Sequence, residues 1–140
     1  MFNEAWLTRF QQCLNADPEM AVIGDWFTLS MSLSCDDERR VLRFERGRLT
    51  QTILTPKLDA PCAFGFRAGA DVWRRFFSEP PEPLYHDVFA MLMRVPGFVL
   101  EGDTLVAMQH ARALHRAMRV LRTVRPVSEA SPERAKRVEG

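Results

Sequence analysis

The chain has 140 residues, one domain's worth of polypeptide. Its composition is 46% hydrophobic and 26% charged with a formal charge of +1, which excludes extensive disorder and excludes gripping nucleic acid by bulk electrostatics. Ten Phe, seven Met and three Trp stand against a single Tyr, so the large side chains carry almost no polar tips. Such a set suits a dry interior or a dry pocket.

Asn3 is placed to cap a first helix whose apolar positions Trp6, Leu7, Phe10, Cys13 and Leu14 recur at helical spacing. The stretch Asn15 to Glu19, with Asp17-Pro18, is expected to break it. Phe27, Leu29, Met31 and Leu33 then alternate with Thr28, Ser30, Ser32 and Ser34, the period of a half-buried strand. Asp36 to Glu38 makes a turn, Arg39 to Arg46 a second strand, and Gly47 turns the chain into a third, Arg48 to Leu54. These three are expected to form an antiparallel meander with one wet face. Cys62 to Arg67 alternates as a fourth strand, in which side-chain-free Gly65 allows a close approach.

A helix over Ala70 to Phe77 follows, then a stiff proline-rich connector over Glu79 to Pro83. A further helix spans Leu84 to Arg94, and Phe98 to Leu100 reads as a fifth, edge strand. Asp103 is the expected cap of a last helix running to about Arg125, where Pro126 stops it. The fold class is therefore α+β, a mostly antiparallel five-stranded sheet with helices packed on one face. Residues 1–125 make one domain, and 126–140 read as a polar, disordered tail.

Motifs for chemistry are sparse. Cys13, Cys35 and Cys62 are an odd, scattered set, which argues against a disulfide framework and a structural zinc site. With Glu4 and Arg9 in the first ten residues, no signal peptide is expected, and no run of apolar residues is long enough for a membrane span. A reducing, cytoplasmic setting is the expectation. His110 and His115 would stand roughly 140° apart on one helix and cannot chelate a metal together. No nucleophile elbow or phosphate-binding loop occurs. No catalytic residue, metal site or cofactor is assigned; an enzyme would have to use His86, His110 or Cys62, with no reaction indicated.

Two patterns remain. The last helix sets Val106, Ala113, Leu114, Ala117, Leu121 and Val124 on one face and Arg112, Arg116, Arg119 and Arg122 on the other. That basic stripe is either a solvated face, a surface for an acidic partner, or a peripheral contact with an anionic membrane. The Phe/Met surplus gathers in the helices between Ala70 and Arg94, with Trp73, Phe76, Phe89 and Met93, and in the strands, with Phe27, Met31, Phe64 and Phe66. It either fills a core or lines a cavity for a flexible apolar ligand.

The element order, the strand–turn–strand around Val41 to Leu49, the Phe64 to Phe77 strand–helix and the Phe98-Val99-Leu100-Glu101-Gly102-Asp103 junction resemble the sterol carrier protein type 2 (sterol-binding) domain family, as a stand-alone bacterial-type member. The resemblance covers residues 1–123 and implies an apolar tunnel between sheet and helices for acyl chains or sterols. On that footing Phe27, Met31, Phe64, Phe66, Trp73, Phe76, Phe89 and Met93 are the expected ligand lining, and the partner is a lipid or other apolar small molecule. The alternative is an accessory subunit with a solid core that docks an acidic partner through the arginine stripe. The edge strand also offers a surface for pairing into a homodimer.

Overall fold

The computed structural model describes residues 1–57, 60–78, 83, 85 and 87–124. The expected connector over 79–82, Leu84, His86 and the tail 126–140 lie outside the described residues.

α1 (Glu4–Asn15) starts where Asn3 Oδ1 accepts the Trp6 amide, and it buries Trp6, Leu7, Phe10 and Leu14. The Asp17-Pro18 pair does more than end this helix. Asp17 caps α2 (Pro18–Ile23) by accepting the Met20 amide, and Pro18 occupies the first turn, where a missing N–H costs nothing. β1 (Leu29–Cys35), β2 (Glu38–Glu45) and β3 (Arg48–Ile53) form the expected meander. Arg46 and Gly47 both have positive φ, 52° and 81°, which is what a two-residue hairpin needs to match strand twist.

β3 lies at one edge, because the sheet order is β3-β2-β1-β4-β5. The chain must therefore return past β2 and β1 before β4 (Phe64–Ala68), and it enters running the same way as β1. The sheet is mixed. The pairing of β1 with β4 is parallel, and the pairing of β4 with β5 (Val99–Gly102) is antiparallel.

One face of the sheet carries Met31, Leu33, Leu42, Phe64 and Phe66, all buried at 1% exposure or less. Above it lie α1, α3 (Ala70–Phe76) and α6 (Ala111–Thr123), locked by rings and by two indoles. Trp6 Nε1 donates to the Leu121 carbonyl at 3.3 Å, tying α1 to α6. Trp73 Nε1 donates to the Ser34 carbonyl at 2.9 Å, tying α3 to the central strand. α4 (Val88–Arg94) is shorter than its apolar pattern implies, starts at an Asp87 cap and buries only Val88 and Met91. The long last helix is two: α5 (Thr104–Gln109), capped by Asp103 as expected, and α6, separated at His110 (φ −112°, ψ 27°).

The opposite face is not wet at its centre. Ser32 and Ser34 are 3% and 0% exposed, and the connection from β3 to β4 crosses this side, held by Arg39. Its guanidinium donates to the carbonyls of Lys57 and Ala60 and to Cys62 Sγ. Here Gly65 faces Ser32 in register, and a Cβ on it would stand 1.8 Å from Ser32 Oγ. Gly65→Ala is expected to cost about 1–3 kcal/mol through overpacking, and adding Ser32→Ala recovers part of the loss. Thermal melts of the two single variants and the double variant check this; equal effects with and without Ser32→Ala would contradict it.

Candidate functional site

Six of the eight residues expected to line a ligand site form one buried layer. Phe27, Met31, Phe64, Phe66, Trp73 and Phe76 are each 0–1% exposed. Rings meet rings throughout: Phe66 stacks on Phe98 at 5.4 Å, Phe98 meets Trp73 edge-on at 5.4 Å, and Trp73 meets Phe76 at 5.9 Å. At the other end Phe27 sits 4.8 Å from Phe44 and 5.4 Å from His110. Phe89 is partly buried and packs against this core. Met93 does not join it; the side chain is 83% exposed, since α4 turns Val88 and Met91 inward instead.

Phe89 also borders a surface groove of about 340 Å³. Ile23 from α2, Phe89 from α4 and Ala111 from α6 supply its apolar part, and Arg112, His115, Arg116, Arg119, Glu19 and Asp87 its charged part. The volume falls at the low end of small-molecule sites, roughly 300–1,000 Å³. No reading of isolated segments finds this groove, because one wall is the helix hidden in the Asp17-Pro18 "breaker". The signal is there: a capping Asp, Pro at the first position and Glu19 in the first turn.

The arginine stripe divides. Arg116 is spent on α2: Nη2 lies 2.6 Å and Nε 3.0 Å from the Asp17 carboxylate, and Glu19 takes a further contact at 2.9 Å. This hydrogen bonding holds the Asp17 carboxyl below its ordinary value, helped by the Met20 amide and opposed by burial. Arg122 is also spent, donating to the carbonyls of Phe76 and Tyr85, with its guanidinium 4.2 Å from the Phe76 ring centre. Arg112 and Arg119 remain exposed on the groove. Asp87, on the opposite rim, accepts the Phe89 amide at 2.9 Å and lies 3.9 Å from His115 Nδ1.

Solved structures give the architecture its place. A crystal structure of sterol carrier protein 2 aligns over 87% of this chain and 97% of its own, at 20% identity and a TM-score of 0.68. The fold is that of sterol carrier protein 2. The sterol-carrier fold also appears in the solution structure of a conserved hypothetical protein from Thermus thermophilus, described as possibly a sterol carrier protein, with 93% of each chain aligned, 20% identity and a TM-score of 0.69. A UbiJ-SCP2 ubiquinone synthesis protein aligns more loosely, over 81% of this chain and 90% of its own, at 11% identity and a TM-score of 0.53. No family model matches the chain, and no curated protein matches it.

Within this sterol-carrier fold the reactive side chains are dispersed. Cys62 lies on the serine face beside Arg39, whereas His110 lies among the helices against Phe27, so the sheet separates them. Burial pushes the Cys35 and Cys62 thiols up, away from the thiolate form that nucleophilic chemistry requires. Among the described residues, no group of three His, Cys, Asp or Glu side chains could hold a metal, and no helix is long and apolar enough to cross a membrane. On the serine face a more polar cleft of about 690 Å³ has two of its charged pairs engaged with each other, Arg67 with Glu101 at 2.9 Å and Arg40 with Glu38 at 3.3 Å.

Proposed function

We propose that this chain is a small binding protein that holds an apolar ligand, an acyl chain or a sterol-like molecule, between its sheet and its helices. The observation that carries the reading is the fold, shared over 87% of the chain with sterol carrier protein 2 and over 93% with a hypothetical protein described as possibly a sterol carrier protein. The side chains support it. The layer between sheet and helices is almost wholly hydrocarbon, and ligand would compete there chiefly with aromatic–aromatic contacts, the indole hydrogen bonds of Trp6 and Trp73 aside.

The groove between α2, α4 and α6 is the proposed mouth, because Phe89 belongs to both the groove and the apolar layer. α4 is the element to give way, since it buries only two of its seven residues. Burying roughly 300 Å² of ligand hydrocarbon at ~25 cal/mol/Å² contributes about 7 kcal/mol before ordering costs. Native mass spectrometry with solvent extraction of the purified chain tests the proposal. An apolar mass released on extraction is expected. Replacing Phe89 with Glu should weaken re-binding by about tenfold or more, consistent with losing one aromatic contact. A bare chain that also takes up no apolar ligand after purification would overturn it.

A further inference from the structure

We infer that the β5 edge of the sheet pairs antiparallel with the β5 edge of a second copy of this chain. The two edges of the sheet differ. At β3 the outward main-chain groups of Leu49 are taken by α1. Asn15 Oδ1 accepts the Leu49 amide at 2.8 Å, and Gln11 and Asn15 donate to its carbonyl at 2.9 and 3.1 Å. Side chains stand there in the place of a further strand, so that edge is closed at Leu49. Among the described residues, nothing plays this part at β5.

Register decides which groups of β5 are free. The Asp103 amide donates to the Ala63 carbonyl at 2.8 Å, so these two residues form a hydrogen-bonded pair. Such pairs alternate with non-bonded ones along an antiparallel ladder, which makes Gly65 with Glu101 and Arg67 with Val99 the next two. Leu100 and Gly102 therefore turn their main-chain groups away from β4, and Phe98 does so by the same alternation. The Phe98 amide is held by the Val95 carbonyl at 3.3 Å. Among the described residues, the Leu100 amide and carbonyl, the Gly102 amide and the Phe98 carbonyl have no partner.

These groups fit a second β5 about a two-fold axis at Leu100. Each Leu100 amide then reaches the Leu100 carbonyl of the other copy, and each Gly102 amide the other Phe98 carbonyl. Side chains select this register. On the helix side Leu100 meets its counterpart and prolongs the apolar layer it already packs against. On the serine face Val99, 48% exposed, comes beside the other copy's Glu101, whose charge Arg67 holds at 2.9 Å. Moving the axis by one residue would set two Glu101 carboxylates opposite each other, which is unfavourable. β5 has neither the lysine nor the proline that guards many exposed edges. The match of donors, acceptors and charge under a two-fold is a property of this strand with itself, and it commits the edge to a second copy. Four-residue strands bury little area, so the dimer forms with rising concentration. The inference holds with or without a bound cargo.

Sedimentation velocity of the full chain over a range of concentrations, with residue-resolved amide exchange on the same samples, tests it. A concentration-dependent doubling of mass is expected. Protection of the Leu100 amide should rise with it, at least tenfold, while the Val99 and Glu101 amides, bonded to β4, stay protected throughout. Leu100→Pro removes an outward N–H without touching the β4 pairing, and should abolish the dimer. Val99→Glu, at a half-exposed position, adds a carboxylate beside the partner's Glu101 and should weaken association about fivefold or more. A single mass at all concentrations would overturn the proposal. So would a dimer in which the Leu100 amide still exchanges freely, which places the contact elsewhere. Full Leu100 protection in the dilute monomer would also overturn it, because the chain's own residues then cover the edge.

Discussion

Trp73→Ala is expected to cost about 3–5 kcal/mol, the largest loss from any single truncation in the core. The indole is fully buried and packs against Phe2, Phe76, Phe77 and Phe98 at ring separations of 5.1–5.9 Å. It also holds the Ser34 carbonyl of the central strand. Truncation removes the joint between α3 and the sheet and leaves a cavity that the rigid rings around it cannot fill. Trp73→Phe separates the two contributions. It keeps most of the ring packing and loses the hydrogen bond, and should cost about 1–2 kcal/mol. Chemical denaturation of both variants checks the pair; equal losses would show that packing around Trp73 contributes little.

Arg116→Ala is expected to cost about 2–3 kcal/mol, because it strands Asp17, whose side chain is 9% exposed. The effect is larger than for a surface ion pair, worth ~0–1 kcal/mol, since Asp17 also caps α2. The pH dependence follows from the depressed Asp17 value. Above about pH 5 the carboxylate is ionised in both folded and unfolded chains, and the full stabilisation is present. As pH falls below the ordinary carboxylate value the unfolded chain takes up a proton first, and stability is lost until the folded value is passed. Wild type should therefore lose stability on acidification more steeply than Arg116→Ala. Parallel slopes would show that the pair is not what depresses Asp17.

Much of this architecture is legible in the sequence, and what was hidden has a common cause. Local signals spoke clearly: Asn3 and Asp103 cap the helices they were expected to cap, Gly47 turns the hairpin, and alternation fixes which side of β1 is apolar. The α2 helix was obscured because Asp and Pro are both stop and start signals, and only the distant Arg116 contact shows which applies. The break at His110 has no glycine or proline to mark it. The parallel pairing of β1 with β4 depends on where β3 lies, and periodicity carries no such information. The same holds for the serines of β1: alternation marks them as outward, yet they are buried on the side where Arg39 holds the connection from β3 to β4.

The candidate site follows this division. Six of the residues expected to line a site were legible as apolar faces and are buried together; Met93 was misplaced because α4 turns Val88 and Met91 inward and leaves Met93 on the outer face. Arg116 and Arg122 looked like outward charges because their partners lie 99 and 46 positions away in sequence. With these two withdrawn into the fold, the basic stripe shrinks to Arg112 and Arg119, beside the groove rather than along a whole helix face. The surplus of Phe and Met over Tyr acquires a location: a hydrocarbon layer under α1, α3 and α6, with Phe89 packed against it at the border of the groove.

Titration of the solvent-extracted chain with a fluorescent long-chain fatty acid tests the proposed binding function most directly. Saturable binding at one molecule per chain, displaced by an unlabelled acyl or sterol-like competitor and weakened by Phe89→Glu, is the predicted result. A folded chain that shows no saturable binding would contradict it.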